Sequence, residues 1–229
     1  MHTEIDDQLI AIEGIKWLPW IGEKYLSSKS KLMIIGESHY LWDGENGAYD
    51  ILNDSNFTRA IVYNNHQQNL KDVEHTIKPL DGIERTILNS RNISLTDKVA
   101  ISDTFVYHVI VQKDLSSRKE RPNYNAYYDG WKTLIEIAKK LEPKTLLAIG
   151  VESYDACVNY AKEIRILKEN NREAFKINRT YPRKCKIEVN GNEIVIIFMR
   201  HASSFYSWSQ WHTYLAKYFN IEEFKNDLN

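Results

Sequence analysis

Four short apolar runs punctuate the chain, each closed by a small or polar residue. Residues 31–36 (Lys-Leu-Met-Ile-Ile-Gly) and 145–150 (Thr-Leu-Leu-Ala-Ile-Gly) read as buried strands ending in tight turns. Val99-Ala100-Ile101-Ser102 predicts a strand of the same kind. Ile194 to Met199 is the most β-branched run of all. Near-continuous apolar strands belong in a sheet covered on both faces, which is the parallel arrangement. Between them the period changes to that of a helix. Trp131, Leu134, Ile135, Ala138 and Leu141 form an i, i+3, i+4, i+7 stripe over 129–142, and Pro143 ends it. Tyr154, Cys157, Val158, Ala161 and Ile164 mark a second amphipathic helix, and a last one is expected over 208–219. Asn190-Gly191 is a hairpin signal that pairs the strand around 186–189 with the final core strand. Residues 52–95 are the hardest to read, with room for one or two helices and a loop. The pattern predicts a three-layer α/β/α fold. Its short, mainly parallel sheet has four strands plus an extra antiparallel hairpin strand, in a single domain over 1–229.

Composition changes this picture little. Of the 229 residues, 27% are charged and 43% hydrophobic, which is ordinary for a globular chain with a full core. The net charge of −1 gives no global positive field, so nucleic-acid contact would need a local basic patch. Two segments supply candidates: Lys113 to Arg121, with Arg118 and Lys119, and Arg179 to Lys186, with Arg183 and Lys184. Two cysteines 28 residues apart, Cys157 and Cys185, exclude a four-cysteine metal site and argue against a disulfide scaffold. The polar start, Met1-His2-Thr3-Glu4, is unlike a signal peptide, and no apolar run approaches the ~20 residues of a membrane helix. A cytoplasmic monomer without cofactor or metal is expected.

In open parallel sheets, ligands bind beyond the carboxyl ends of the strands. Three segments predicted to leave those ends are polar: Gly36-Glu37-Ser38-His39-Tyr40, Ser102-Asp103-Thr104, and Arg200-His201-Ala202-Ser203-Ser204-Phe205-Tyr206. Together they offer carboxylates, hydroxyls and histidines able to orient a water and stabilise a developing anion. Phe205, Tyr206, Trp208 and Trp211 read more readily as helix packing than as a base-stacking surface.

The order of these motifs resembles the uracil-DNA glycosylase superfamily. The first matches its Gly-Gln-Asp-Pro-Tyr or Gly-Glu-Ala-Pro-Gly turn. Asp103 stands where that family has a base-reading Asn. Pro143 to Gly150 matches its Pro-Lys-apolar-apolar-Gly strand, and His201-Ala202-Ser203 matches its His-Pro-Ser. The resemblance spans about residues 30–216 and implies a four-stranded parallel sheet between helices. It also implies a DNA partner and excision of a flipped-out base. On that reading Glu37 or Ser38 positions the attacking water, Glu37 being the only carboxylate in its motif, and His201 stabilises the departing base. Tyr40, Phe57 and Asp103 contact the base. Ser203 and Ser204 bind phosphate, and Phe205 or Tyr206 wedges into the duplex. An ionised Asp103 only accepts hydrogen bonds, which suits an exocyclic amine better than uracil. Two other readings stay open. Ser38, Asp103 and His201 follow the Ser…Asp…His order of α/β-hydrolases, although Tyr40 replaces the second Gly of the nucleophile elbow. The fold could also serve as a non-catalytic nucleic-acid or protein binding module.

Overall fold

The computed structural model describes residues 1–39, 53–66, 78–113, 120–202 and 206–229. Its centre is a seven-stranded mixed sheet. The strands are β1 (Trp20–Ile21), β2 (Leu32–Gly36), β3 (Val106–Val109), β4 (Thr145–Ile149), β5 (Leu167–Arg172), β6 (Arg183–Val189) and β7 (Asn192–Met199). They lie in the order β1-β3-β2-β4-β7-β6-β5. The middle four, β3, β2, β4 and β7, are mutually parallel, while β1, β6 and β5 add antiparallel edges. A parallel core is therefore present, with three of the four expected strands and β3 in place of the fourth, and the sheet is larger than predicted. β1 went unread because it is only two residues long and follows Pro19, and β5 because it is charged and carries no apolar run.

Helices cover both faces. They are α1 (Asp6–Ile10), α2 (Phe57–His66), α3 (Lys78–Leu88), α4 (Leu95–Thr104), α5 (Tyr124–Leu141), α6 (Tyr154–Glu163), α7 (Trp208–Leu215) and α8 (Ile221–Leu228). Alternate strand residues feed two separate cores, as the two-residue period of a strand requires. Met33, Ile35, Leu146, Ala148, Ile196 and Phe198 face the core beneath α5 and α6. Leu32, Ile34, Leu147, Ile149, Ile197 and Met199 face the one beneath α2, α3, α7 and α8. The Asn190-Gly191 turn forms as read, with φ of 52° and 79°, joining β6 to β7. Among the described residues, no helix is long and apolar enough to cross a membrane.

One predicted strand is a helix. Residues 99–102 lie inside α4, whose start is fixed by a capping box: the Ser94 side chain accepts from the Asp97 N–H, and the Asp97 side chain accepts from the Ser94 N–H. That reciprocal cap satisfies two otherwise orphaned backbone donors and commits the segment to helix. The apolar run after it buries only Ile101, along with Ser102 and Thr104. The true second parallel strand is β3, immediately downstream, all four of whose residues are buried. Two smaller corrections concern helix ends. The 129–142 helix starts earlier, at Tyr124, capped by Asn123, whose side chain accepts from the Ala126 N–H. The final 208–219 helix stops at Leu215, and a separate α8 follows.

Candidate carboxyl-edge site

β2, β4 and β7 all deliver their carboxyl ends to one edge of the sheet. Glu37 follows β2 directly, and its side chain is 10% exposed. Tyr127, in the first turns of α5, donates its hydroxyl hydrogen to Glu37 Oε1. Arg121 donates to Oε2 at 3.0 Å. Tyr127 reaches that position because α5 runs close over the exit of β3. A Cβ on Gly130 would come within 2.3 Å of the Ile110 carbonyl oxygen, so only glycine permits the approach.

His201 follows β7 and lies at the exposed rim. Desolvation by its surroundings pushes its pKa below the ordinary value, against the opposing pull of the Glu37 carboxylate; Arg121 and Arg200 push it further down. Glu37 and His201 thus share one electrostatic environment although they come from different strands. β2 and β7 flank β4, so at about 4.8 Å per strand their carboxyl ends leave the sheet roughly 10 Å apart.

Ser38 is buried, with its hydroxyl 2.8 Å from the Lys113 carbonyl and 3.1 Å from that of Val111. It braces the loop after β2 against the exit of β3. Its proton goes to backbone, and among the described residues no imidazole is hydrogen-bonded to it. His39 is buried between Trp17 and Phe57, with ring centroids at 4.7 and 4.8 Å, both edge-to-face. Its Nε2 pairs with the Thr58 hydroxyl at 2.8 Å. Phe57 therefore stands in the wall beside the β2 exit, packed on an imidazole.

Two predicted site residues are elsewhere or otherwise engaged. Asp103 sits at the end of α4, before β3 begins, and hence at the amino edge of the parallel strands. It lines a cavity of about 400 Å³ with Trp20, Arg59 and Tyr63. Its backbone carbonyl accepts from the Lys24 N–H at 2.7 Å. Assigning a base-reading role to Asp103 followed from taking residues 99–102 as a strand, and it falls with that strand. Tyr206 is stacked on Trp211 at 6.2 Å and shares a hydrogen bond with the Thr86 hydroxyl, so it packs against α3 and α7 and cannot act as a duplex wedge. Tyr40, Ser203, Ser204 and Phe205, like Arg118 and Lys119, lie outside the described residues.

The structure puts other groups where β3 ends. His108 is fully buried, and desolvation together with the charge of Arg59 pushes its imidazole down to about 3. Its Nε2 accepts from the Gln112 amide at 2.9 Å, while Nδ1 has no partner. Gln112 Oε1 accepts from the Lys16 and Trp17 N–H groups, and its Nε2 also donates to the Val109 carbonyl. Every position on that amide is thereby occupied. Burial likewise pushes His39 down to about 3, helped by its neighbours His108 and Lys16. Both rings are neutral members of the site's inner wall.

Sequence reasoning missed Tyr127, and it read Arg121 as part of a basic patch without its pairing to Glu37. Tyr127 continues the apolar stripe of α5 backwards by one turn, and the signal for it was the Asn123 cap. Among the described residues, no group of three or more His, Cys, Asp or Glu could hold a metal ion. No family model matches the chain, and no curated protein matches it.

Proposed function

We propose that this chain is a uracil-DNA-glycosylase-like hydrolase that cleaves the N-glycosidic bond of a damaged or deaminated nucleotide in DNA. The observation that carries the reading is that Glu37 and His201 follow parallel strands to one sheet edge, where the carboxylate acts on the imidazole. The four parallel strands covered by helices agree with it. Phe57, packed on His39 beside the exit of β2, would flank the base.

In this mechanism Glu37 accepts a hydrogen bond from water and aims its oxygen at the anomeric carbon. Tyr127 and Arg121 hold the carboxylate still. As the C–N bond breaks, its electron pair leaves with the base. The new C–O bond forms to the water oxygen, and the proton released passes to Glu37. His201 donates an N–H to the base as negative charge develops there. Asp103 takes no part. Base identity must be read by other groups, because the Gln112 amide at the end of β3 is already saturated.

The experiment is incubation of single strands and duplexes containing uracil, hypoxanthine or xanthine, followed by alkali to cleave abasic sites. Strand scission at one of these bases is expected. If none is cut and no DNA is bound at low salt, the proposal is wrong. The buried residues at the end of β3 favour a second reading, a binding module on the same architecture. Binding without scission would select it.

A further inference from the structure

The charge along this chain is uneven. Between residues 162 and 186 there are nine Lys or Arg and three Glu, and between 174 and 187 there is no acid at all. Four strand cations of this region are paired with carboxylates. Lys184 meets Glu169, Arg172 meets Asp155, Lys186 lies 3.0 Å from Glu193, and Lys168 lies 3.1 Å from Glu188. The segment joining β5 to β6 is residues 173–182. It projects Lys176 and Arg179 together with two large aromatic rings, Phe175 at 44% exposure and Tyr181 at 46%. Lys176 Nζ lies 4.8 Å from the Tyr181 ring centroid, and Lys217 Nζ lies 5.5 Å from that of Phe175.

This segment has a fixed shape. Ile177 and Thr180 bond each other's backbone in both directions, at 2.9 and 3.0 Å. Between them Asn178 and Arg179 turn the chain with φ of 46° and 67°. Ile177 is buried in the core below. Because β6 runs antiparallel to β7, the turn falls at the carboxyl edge. Arg200 donates to the Asn178 carbonyl at 2.9 Å, Asn178 Oδ1 accepts from the Ser207 N–H, and Arg183 donates to the Val151 carbonyl at 2.8 Å. The segments leaving β4 and β7 therefore hold it next to His201.

Exposed rings alternating with cations on a rigid turn match the chemistry of unpaired nucleotides. Bases stack on aromatic faces without sequence preference, and phosphates take the cations. We propose that residues 173–182 form a DNA-binding arm that grips unpaired nucleotides flanking the one presented to the Glu37–His201 site. That the partner is DNA rests on the functional reading above; the grip itself rests on the arm's own chemistry.

The test uses the full chain and fluorescence anisotropy with a fluorescein-labelled 20-mer of oligo(dT), its duplex, and an oligo(rU) competitor, over a salt series. Wild type is expected to prefer the DNA single strand. Lys176→Glu with Arg179→Glu should weaken binding at least roughly tenfold and lower the salt slope by about 1.4, the value for two phosphate contacts on a single strand. Phe175→Ala with Tyr181→Ala should weaken it about tenfold or more while leaving the slope unchanged. All four positions are exposed, and matching thermal melts would show that the fold is intact. Wild-type affinity in both variants, an effect of charge without any effect of the rings, or a preference for oligo(rU) would each overturn the arm. The two proposals fail separately. An arm that binds DNA while no base is excised defeats only the glycosylase reading, and excision with arm variants binding normally defeats only the arm.

Discussion

At the carboxyl edge of the sheet, Glu37 is held by a phenol from α5 and a guanidinium from the preceding loop, and it shares its field with an imidazole from β7. At the amino edge, Asp103 ends a helix beside Trp20 and Arg59. Both acids follow apolar runs of similar length. A parallel sheet sends every strand's carboxyl end, and the segment that follows it, to the same edge, so groups distant in sequence converge there. A helix that leads into the next strand leaves its last residue at the opposite edge. Whether the apolar run is strand or helix thus decides whether an acid joins the site.

The largest expected effect tests that contrast directly. Glu37→Gln keeps the shape and the Tyr127 contact but removes the proton acceptor, and should slow excision by about 10²- to 10⁴-fold. Asp103→Asn should leave the rate within about twofold, measured in the same scission assay. Comparable losses in the two variants would erase the distinction between the edges.

Next in size is the pH dependence of stability from the inner wall. His39 and His108 are held near 3 by burial, against an ordinary value of 6.5. Between those values the unfolded chain binds protons that the folded chain does not. Stability is therefore full above about pH 7 and falls as pH drops through the window, by up to about 1.4 kcal/mol per pH unit for each ring. His39→Gln should flatten the slope of melting temperature against pH over pH 4–6. An unchanged slope would mean that the ring is not buried as described.

Ser38→Ala removes a buried donor to backbone carbonyls and should cost about 1 kcal/mol in denaturant unfolding. Excision should persist in this variant; its abolition would reinstate the hydroxyl as a reacting group. The smallest effect is electrostatic. In Glu37→Gln the His201 imidazole, deprived of a negative neighbour, should titrate lower than in wild type by NMR. Asp103→Asn should leave it unmoved.

Much of the architecture was legible. Leu32–Gly36, Thr145–Ile149 and the Asn-Gly hairpin declare themselves through unbroken apolar runs and a turn that needs positive φ. The error at 99–102 came from weighing apolar character above the capping box at Ser94 and Asp97, a local signal with a definite hydrogen-bond rationale. Glu37 and His201 could be placed at the carboxyl edge because each follows an apolar strand. Tyr127 could not, because a tyrosine on a helix stripe looks like core. Only the close passage of α5 over Ile110 turns its hydroxyl toward a carboxylate. Tyr206, which the residue pattern read as helix packing and the resemblance offered as a wedge, has partners Thr86 and Trp211 from two different helices.

By itself, the sequence determined which segments must be buried, where the hairpin turns, and which acids and imidazoles stand at the ends of apolar runs. These are consequences of local propensity and of the free energy of removing apolar surface from water. Tertiary structure decided which edge each end reaches, which phenol and guanidinium hold Glu37, and which rings become neutral inner wall. Those outcomes depend on strand direction and close packing between segments far apart in the chain, and no local pattern encodes them.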